Sequence, residues 1–293
     1  MADLFVKFWG VRGSIPTPGH GTRRYGGNTS CIEIRKDDTV LILDAGSGIR
    51  PLGVDLAARG TEQLDLHLLF SHTHWDHIQG FPFFPPAYNP NTELNIWDLE
   101  EAGGRVHNLL SGQMIEDYFP VTFSQLGARI IPRGLQSEAQ EIGGLIVRHL
   151  AQPHPGGSAA FSVELGGVKV VYCTDSELDL LLKDRDHSIK HPEEHRALPA
   201  NFVEFMRDAD LVIGDGQYTD TNYVRHLGWG HPRVNTMVDL AVEAGVKQLA
   251  VFHHDPMETD SKLEEKLADA TARADGALTL FGAREGLELK YSG

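Results

Sequence analysis

The sequence predicts a mixed α/β protein, and three observations carry that prediction. β-branched and aliphatic runs, such as Thr39-Val40-Leu41-Ile42-Leu43 and Ala209-Asp210-Leu211-Val212-Ile213, end abruptly at an acid on a glycine-containing loop. Stretches with a 3.6-residue apolar period, at 49–59, 234–244 and 260–274, read as helices between them. The densest group of metal-ligating side chains, His72-Thr73-His74-Trp75-Asp76-His77, directly follows another apolar run. Loops at the C-terminal ends of strands are where α/β folds place chemistry.

Residues 4–9 alternate as a first strand, and a Gly/Pro-rich loop fills 10–19. Arg12 on that loop and Arg24 beyond it read either as turn arginines or as groups that meet a phosphate. Gly27-Asn28-Thr29-Ser30-Cys31 leads into a strand at 32–34. The strand 39–43 ends at Asp44-Ala45-Gly46, and the helix 49–59 is closed by Gly60. Residues 64–70 are apolar enough at their end for a buried strand. After the histidine cluster, Gly80 and Pro82 limit any helix to about a turn. Residues 81–125 read as an insertion, too rich in proline for a helix at its start. Phe81 there either forms an aromatic wall beside the cluster or packs inside a loop. A helix is expected over 106–118.

Residues 142–150 read as one strand, followed by the loop Pro153-His154-Pro155-Gly156-Gly157. Residues 160–165 and 168–172 form a hairpin through Gly166-Gly167 and run into Thr174-Asp175. A second, highly charged insertion spans 176–200. Its His187, His191 and His195 share a helix face, as a solvated lid or as a third metal site, and Pro192 interrupts the pattern. The strand 209–213 leads to Asp215. Gly228-Trp229-Gly230-His231 precedes the helix at 234, and the apolar run 245–252 ends at His253-His254.

Composition sets the bounds. A chain of 293 residues can bury a large core. A formal net charge of −15 argues against a broad nucleic-acid surface. Cys31 and Cys173 match no redox or zinc spacing and read as buried thiols in a reducing compartment. The opening Met1-Ala2-Asp3-Leu4 enters a strand with no basic n-region or apolar h-region, so no signal peptide is expected, and no apolar run approaches the ~18 residues of a membrane span. These features predict a cytoplasmic protein with no membrane partner.

The histidine cluster has a geometric reading. Residues i and i+2 of an extended segment point the same way, so His72 and His74 can hold one ion. As the chain turns, Asp76 and His77 can face a second. Imidazole with carboxylate suits Zn²⁺, with Mn²⁺ or Fe as alternatives.

H-x-H-x-D-H after an apolar strand resembles the metallo-β-lactamase superfamily of dinuclear metallohydrolases. The H-P-G-G, T-D and G-W-G-H segments and a strand-end His arrive in a similar order, and G-N-T-S-C resembles the start of the ribonuclease Z and phosphoribosyl cyclic phosphodiesterase branches. The resemblance implies one domain over 1–293, an α/β (α+β) chain folded as a four-layer αββα sandwich with strand-rich halves near 1–150 and 151–293. It implies two divalent metal ions, one held by His72, His74 and His154, the other by Asp76, His77 and His253, with Asp175 bridging. Asp44 would order the metal loop. Alignment of the last strand selects His253 over His254 as the ligand, which leaves His254 either supporting the ligands from behind or facing substrate. Asp76, His231 and Asp215 are the residues expected to take part in the reaction, His231 as proton donor to the leaving alkoxide and Asp215 as its orienter. Where these branches usually read H-S-T, this chain reads His231-Pro232-Arg233. Arg12, Asn28, Phe81 and His254 are the expected substrate contacts.

A hydroxide held between metals about 3.5–4 Å apart would be the nucleophile. The implied activity is hydrolysis of a cyclic nucleotide or another small phosphodiester. The competing activities are acyl hydrolysis of a lactone, β-lactam or thioester, and ribonuclease Z-type RNA cleavage; a non-catalytic metal-binding scaffold is the remaining alternative. The missing export signal weighs against a secreted β-lactamase, and the missing basic arm against a tRNA grip. A homodimer is common in the family.

Overall fold

The computed structural model describes residues 3–60, 63–99, 104–136 and 138–292; Met1 and Ala2, where the first strand is expected to open, lie outside them. The strands in chain order are β1 (Asp3–Gly10), β2 (Cys31–Lys36), β3 (Thr39–Leu43), β4 (Leu64–Leu69), β5 (Thr92–Asp98), β6 (Arg129–Gly134), β7 (Gln140–Ile142), β8 (Leu145–Gln152), β9 (Ser158–Leu165), β10 (Val168–Cys173), β11 (Leu211–Asp215), β12 (Gln248–Phe252), β13 (Thr279–Gly282) and β14 (Glu288–Ser292). They form two seven-stranded sheets, ordered β14-β1-β2-β3-β4-β5-β6 and β13-β12-β11-β10-β9-β8-β7. The sheets divide the chain close to residue 140, but the last strand returns to the first sheet against β1.

Alternation along the strands explains the layering. Leu41 and Leu43 of β3, Val170 and Tyr172 of β10, Ile213 of β11 and Phe252 of β12 join one core between the sheets. Their neighbours point the other way. Val40 and Ile42 meet Leu52 and Leu56 of α1 (Ile49–Ala58) on the outer face of the first sheet. Val171, Val212 and Val251 meet the second sheet's helices, α5 (Ala200–Met206), α7 (Val234–Glu243) and α8 (Asp260–Ala274). Two sheets between two helical layers make the αββα sandwich.

The remaining helices are short: α2 (Trp75–Ile78), α3 (Arg105–Gly112), α4 (Arg185–Lys190) and α6 (Asp220–Tyr223). Among the described residues no helix is long and apolar enough to cross a membrane. Cys31 and Cys173 are buried free thiols.

Several expectations are corrected. The single strand over 142–150 is two strands, because Gly143 and Gly144 take φ of 55° and 81° and turn the chain between β7 and β8. The stretch 81–125 is not wholly an insertion: it contains β5, paired in parallel with both β4 and β6. Its polar and Pro-rich flanks hide a strand whose residues are almost all buried. The helix expected over 106–118 stops at Gly112.

β3 and β4 are parallel neighbours, as are β10, β11 and β12. Their C-terminal ends therefore lie along one edge of the sandwich. Register sets Asp215 opposite Phe252, one residue before His253.

Candidate metal centre

Two groups of side chains converge on that edge: His72, His74 and His154, and Asp76, His77, Asp175 and His253. The ligating atoms of each group lie within 4.8 Å of one another. Asp175 belongs to both in geometry. Its Oδ1 lies 3.7 Å from His72 Nε2 and 3.8 Å from His154 Nε2, and its Oδ2 lies 3.1 Å from His77 Nε2 and 3.3 Å from His253 Nε2. One carboxylate thus turns one oxygen to each group.

The backbone bends to allow this. Asp44, Asp175 and His253 have φ of 62°, 54° and 56°, the left-handed region that non-glycine residues seldom occupy. Asp44 and His253 directly follow strands and Asp175 follows one residue later, where the chain must turn sharply to aim a side chain across the edge.

The rings of His77, His253 and His154 are oriented from behind, which decides which nitrogen faces the group. His77 Nδ1 donates to Asp44 Oδ2 at 2.8 Å, and His253 Nδ1 to Gln217 Oε1 at 2.9 Å. His154 Nδ1 donates to Gly230 O at 2.9 Å. Asp44 also accepts from Ser71 N–H, Ser71 Oγ and Tyr172 Oη, so one buried carboxylate ties the metal loop to both sheets. Asp76 accepts from the Ser14 backbone N–H at 2.7 Å.

The chemistry of this donor set fits divalent cations. Nε2 of His72 and of His77 are buried without a hydrogen bond. His74 Nδ1 and His154 Nε2 face each other at 3.0 Å, close enough for both nitrogens to bind one cation. Burial disfavours charge on His77, yet Asp76, Asp175 and Asp44 outweigh it and hold the ring well above its ordinary pKa. Burial and neighbouring rings hold His72 well below. Opposite shifts on adjacent imidazoles reflect carboxylates packed on one side and imidazoles on the other.

His231 lies beside the second group. Its ring stacks on His253 with centroids 4.9 Å apart, and its Nδ1 donates to Asp215 Oδ2 at 2.9 Å. Burial opposes its charge, but Asp215, Asp175 and Asp76 raise it to about 9. Asp215, His231 and His253 are themselves close enough to hold an ion. However, Asp215 already accepts from the N–H groups of Asp175 and Gln217 as well as from His231, so it works as an anchor.

The expected substrate contacts fare differently. Arg12 is fully buried, and its guanidinium is spent on the carbonyls of Gly26, Asp255 and Glu258, so it laces the first loop to the segment after β12. Asn28 bonds to Glu285 and Ser47. Phe81 is core, stacked on Phe123 at 5.9 Å. His254 is fully buried and donates Nε2–H to Ala283 O; burial holds it neutral, well below its ordinary pKa. Arg12, Phe81 and His254 are thus buried within the protein, and Asn28 is bonded to two neighbouring side chains. Arg24 is exposed and pairs with Glu264 on α8. His187 and His191 stack at 4.4 Å, with Glu194 2.9 Å from His187 Nε2, on the protein's exterior. His195 turns away to Asp239 and Glu243.

The family profile described as Beta-lactamase superfamily domain matches residues 39–254. The chain is 23% identical to a ribonuclease Z of Haloarcula marismortui over 97% of this chain and 95% of that one. In structure it is similar to the metallo-β-lactamase fold protein YhfI from Bacillus subtilis, with a TM-score of 0.70 and 18% identity over 99% and 100% of the two chains. A diphosphatase of the PhnP family gives a TM-score of 0.66 with 15% identity over 99% and 98%. With most of its length matched and its converging ligand groups at the strand ends, the chain belongs to the β-lactamase superfamily and has the metallo-β-lactamase fold.

Proposed function

We propose that the protein is a dinuclear metal-dependent phosphodiesterase acting on a small phosphodiester, a cyclic nucleotide being the leading example. The observation that carries this reading is the Asp215–His231 pair. A phosphodiester that loses an alkoxide needs a proton delivered to it, and a buried His anchored by a carboxylate beside the ligand groups suits that task. His231 uses Nδ1 on Asp215, which leaves Nε2 as the end that can give the proton. Asp215 also fixes Asp175 through its backbone N–H, so proton donor and bridging carboxylate share one anchor.

His72, His74 and His154 would hold one cation, Asp76, His77 and His253 the other, with Asp175 common to both; Zn²⁺ is the proposed metal on its preference for such mixed nitrogen and oxygen donors. When bound, such ions neutralise phosphoryl charge and make water nucleophilic near neutral pH.

Ribonuclease Z-type cleavage of RNA is the second reading, favoured by likeness to a ribonuclease Z over nearly the whole chain. The −15 net charge opposes an RNA grip, which rests on releasing counterions to basic side chains.

The test is hydrolysis of bis(p-nitrophenyl) phosphate by metal-loaded protein, with and without chelator, beside a β-lactam, a lactone and a precursor tRNA. Chelator-sensitive cleavage of the phosphodiester, with the lactam and lactone untouched, is expected. Cleavage of the lactam or lactone alone would contradict the reading, and efficient cutting of the tRNA would move it to the second.

A further inference from the structure

Glu177 stands two residues after Asp175 and belongs to neither ligand group. It is fully buried, yet among the described residues no Lys, Arg or His forms an ion pair with it. A buried carboxylate without a cation is expensive unless its oxygens are well satisfied. Three neutral donors satisfy this one. Oε1 accepts from Gly228 N–H and Tyr223 Oη–H, and Oε2 from Gly230 N–H, each at 2.8 Å.

The gripped loop has a shape that depends on this carboxylate. Gly228 and Gly230 take φ of 81° and 92°, so nearby N–H groups turn inward onto one anion, as in a backbone nest. A Cβ on Gly230 would lie 2.3 Å from His154 Nδ1, so the loop runs directly against that ring. Gly230 O accepts the His154 Nδ1–H, which leaves Nε2 free to face the ligand group. The circuit closes through the backbone, because Glu177 N–H donates to Pro153 O at 2.7 Å. Three loops, those of Asp175, His154 and His231, are joined in one ring of hydrogen bonds with Glu177 at two of its joints.

We infer that Glu177 is a positioning residue that sets the His154 tautomer and fixes the loop carrying His231. The inference deepens the metal-dependent phosphodiesterase reading and rests on it only for the reaction arm of its test. Glu177→Gln places an amide NH₂ where one of the N–H donors must bond. It is compared with wild type in three readouts: Zn²⁺ affinity by chelator competition, the His154 Nδ1–H signal by imidazole nitrogen NMR, and turnover of a methyl p-nitrophenyl ester against a dialkyl phosphodiester.

The expected result is a roughly ten- to hundredfold loss of affinity for one of two ions. The Nδ1–H signal shifts or broadens, and the dialkyl ester, whose leaving group needs the proton, slows more than the activated one. Unchanged affinity and an unchanged Nδ1–H signal in a folded Glu177→Gln protein would overturn the inference, as would equal slowing of both esters with the metal retained. If Glu177→Gln does not fold, Tyr223→Phe decides, since it removes one of the three donors and leaves the charge in place. A loss of affinity of roughly two- to tenfold is then expected, on the worth of one hydrogen bond, and no change overturns the claim. Should the wild type cleave no phosphodiester at all, the functional reading fails, while the affinity and NMR arms still judge Glu177.

Discussion

The two ligand groups differ in how the protein holds them. Asp76, His77, Asp175 and His253 are all buried, and each has a fixed partner behind it. In the other group the His72 and His154 rings are buried, and His74 is exposed. His77 leans on a carboxylate shared by both sheets, whereas His154 leans on one carbonyl of a glycine loop. The difference teaches that one position is built by the core and the other by the loops above it. On the proposed dinuclear reading, substrate and solvent would approach from the His74 side, and an ion held there would be the more exchangeable.

The comparison can be broken at several points. The largest effect is expected from Asp175→Ala, which removes the only carboxylate among the described residues that reaches both groups. Both ions weaken and hydrolysis falls to background, as elemental analysis and rate assays would read. His74→Ala comes next: it strips the open position alone, leaves about one ion per chain and abolishes hydrolysis, with an unchanged circular dichroism spectrum. Normal turnover in that variant would sink the assignment of the open group.

His231→Ala should keep both ions and slow unactivated esters by about 10²–10⁴-fold. Esters of p-nitrophenol, which leave without help, should slow far less; equal slowing of both would argue against His231 as the acid. Asp44→Asn should loosen the buried ion by about 10–100-fold while sparing the open one, since only His77 loses its carboxylate. Loss of the open ion first would reverse the comparison. Phe81→Ala should cost about 3–5 kcal/mol of stability in a denaturant titration and leave turnover of the folded protein intact. A raised KM at constant stability would return Phe81 to the substrate.

Legibility followed distance along the chain. His72, His74, Asp76 and His77 could be read because they lie within six residues of one another on a loop after an apolar run. Asp175 and His253 could be read through the family resemblance, as its T-D motif and as the His at the end of the last core strand. The partners behind them could not. Gln217 reaches His253 across 36 residues, Ser14 reaches Asp76 across 62, and Glu177 reaches Gly230 across 53, with no local pattern to announce any of these bonds. Residue type misled where it suits two roles. Arg12 has the chemistry of a phosphate ligand and serves as an internal clamp, and only burial tells these apart. β5 was hidden for a related reason: Asn95 and Asp98 interrupt its apolar pattern but are satisfied inside, by Asp65 and Arg133 and by the N–H of Val106.

The central claim is a pair of cation positions bridged by Asp175, one tight and one open. Titration of metal-free protein with Zn²⁺, read by bound-metal analysis and by phosphodiester turnover at each step, tests it most directly. The account predicts two equivalents bound in separable steps, with activity rising on the second. A single equivalent at saturation, or full activity reached with the first, would contradict it.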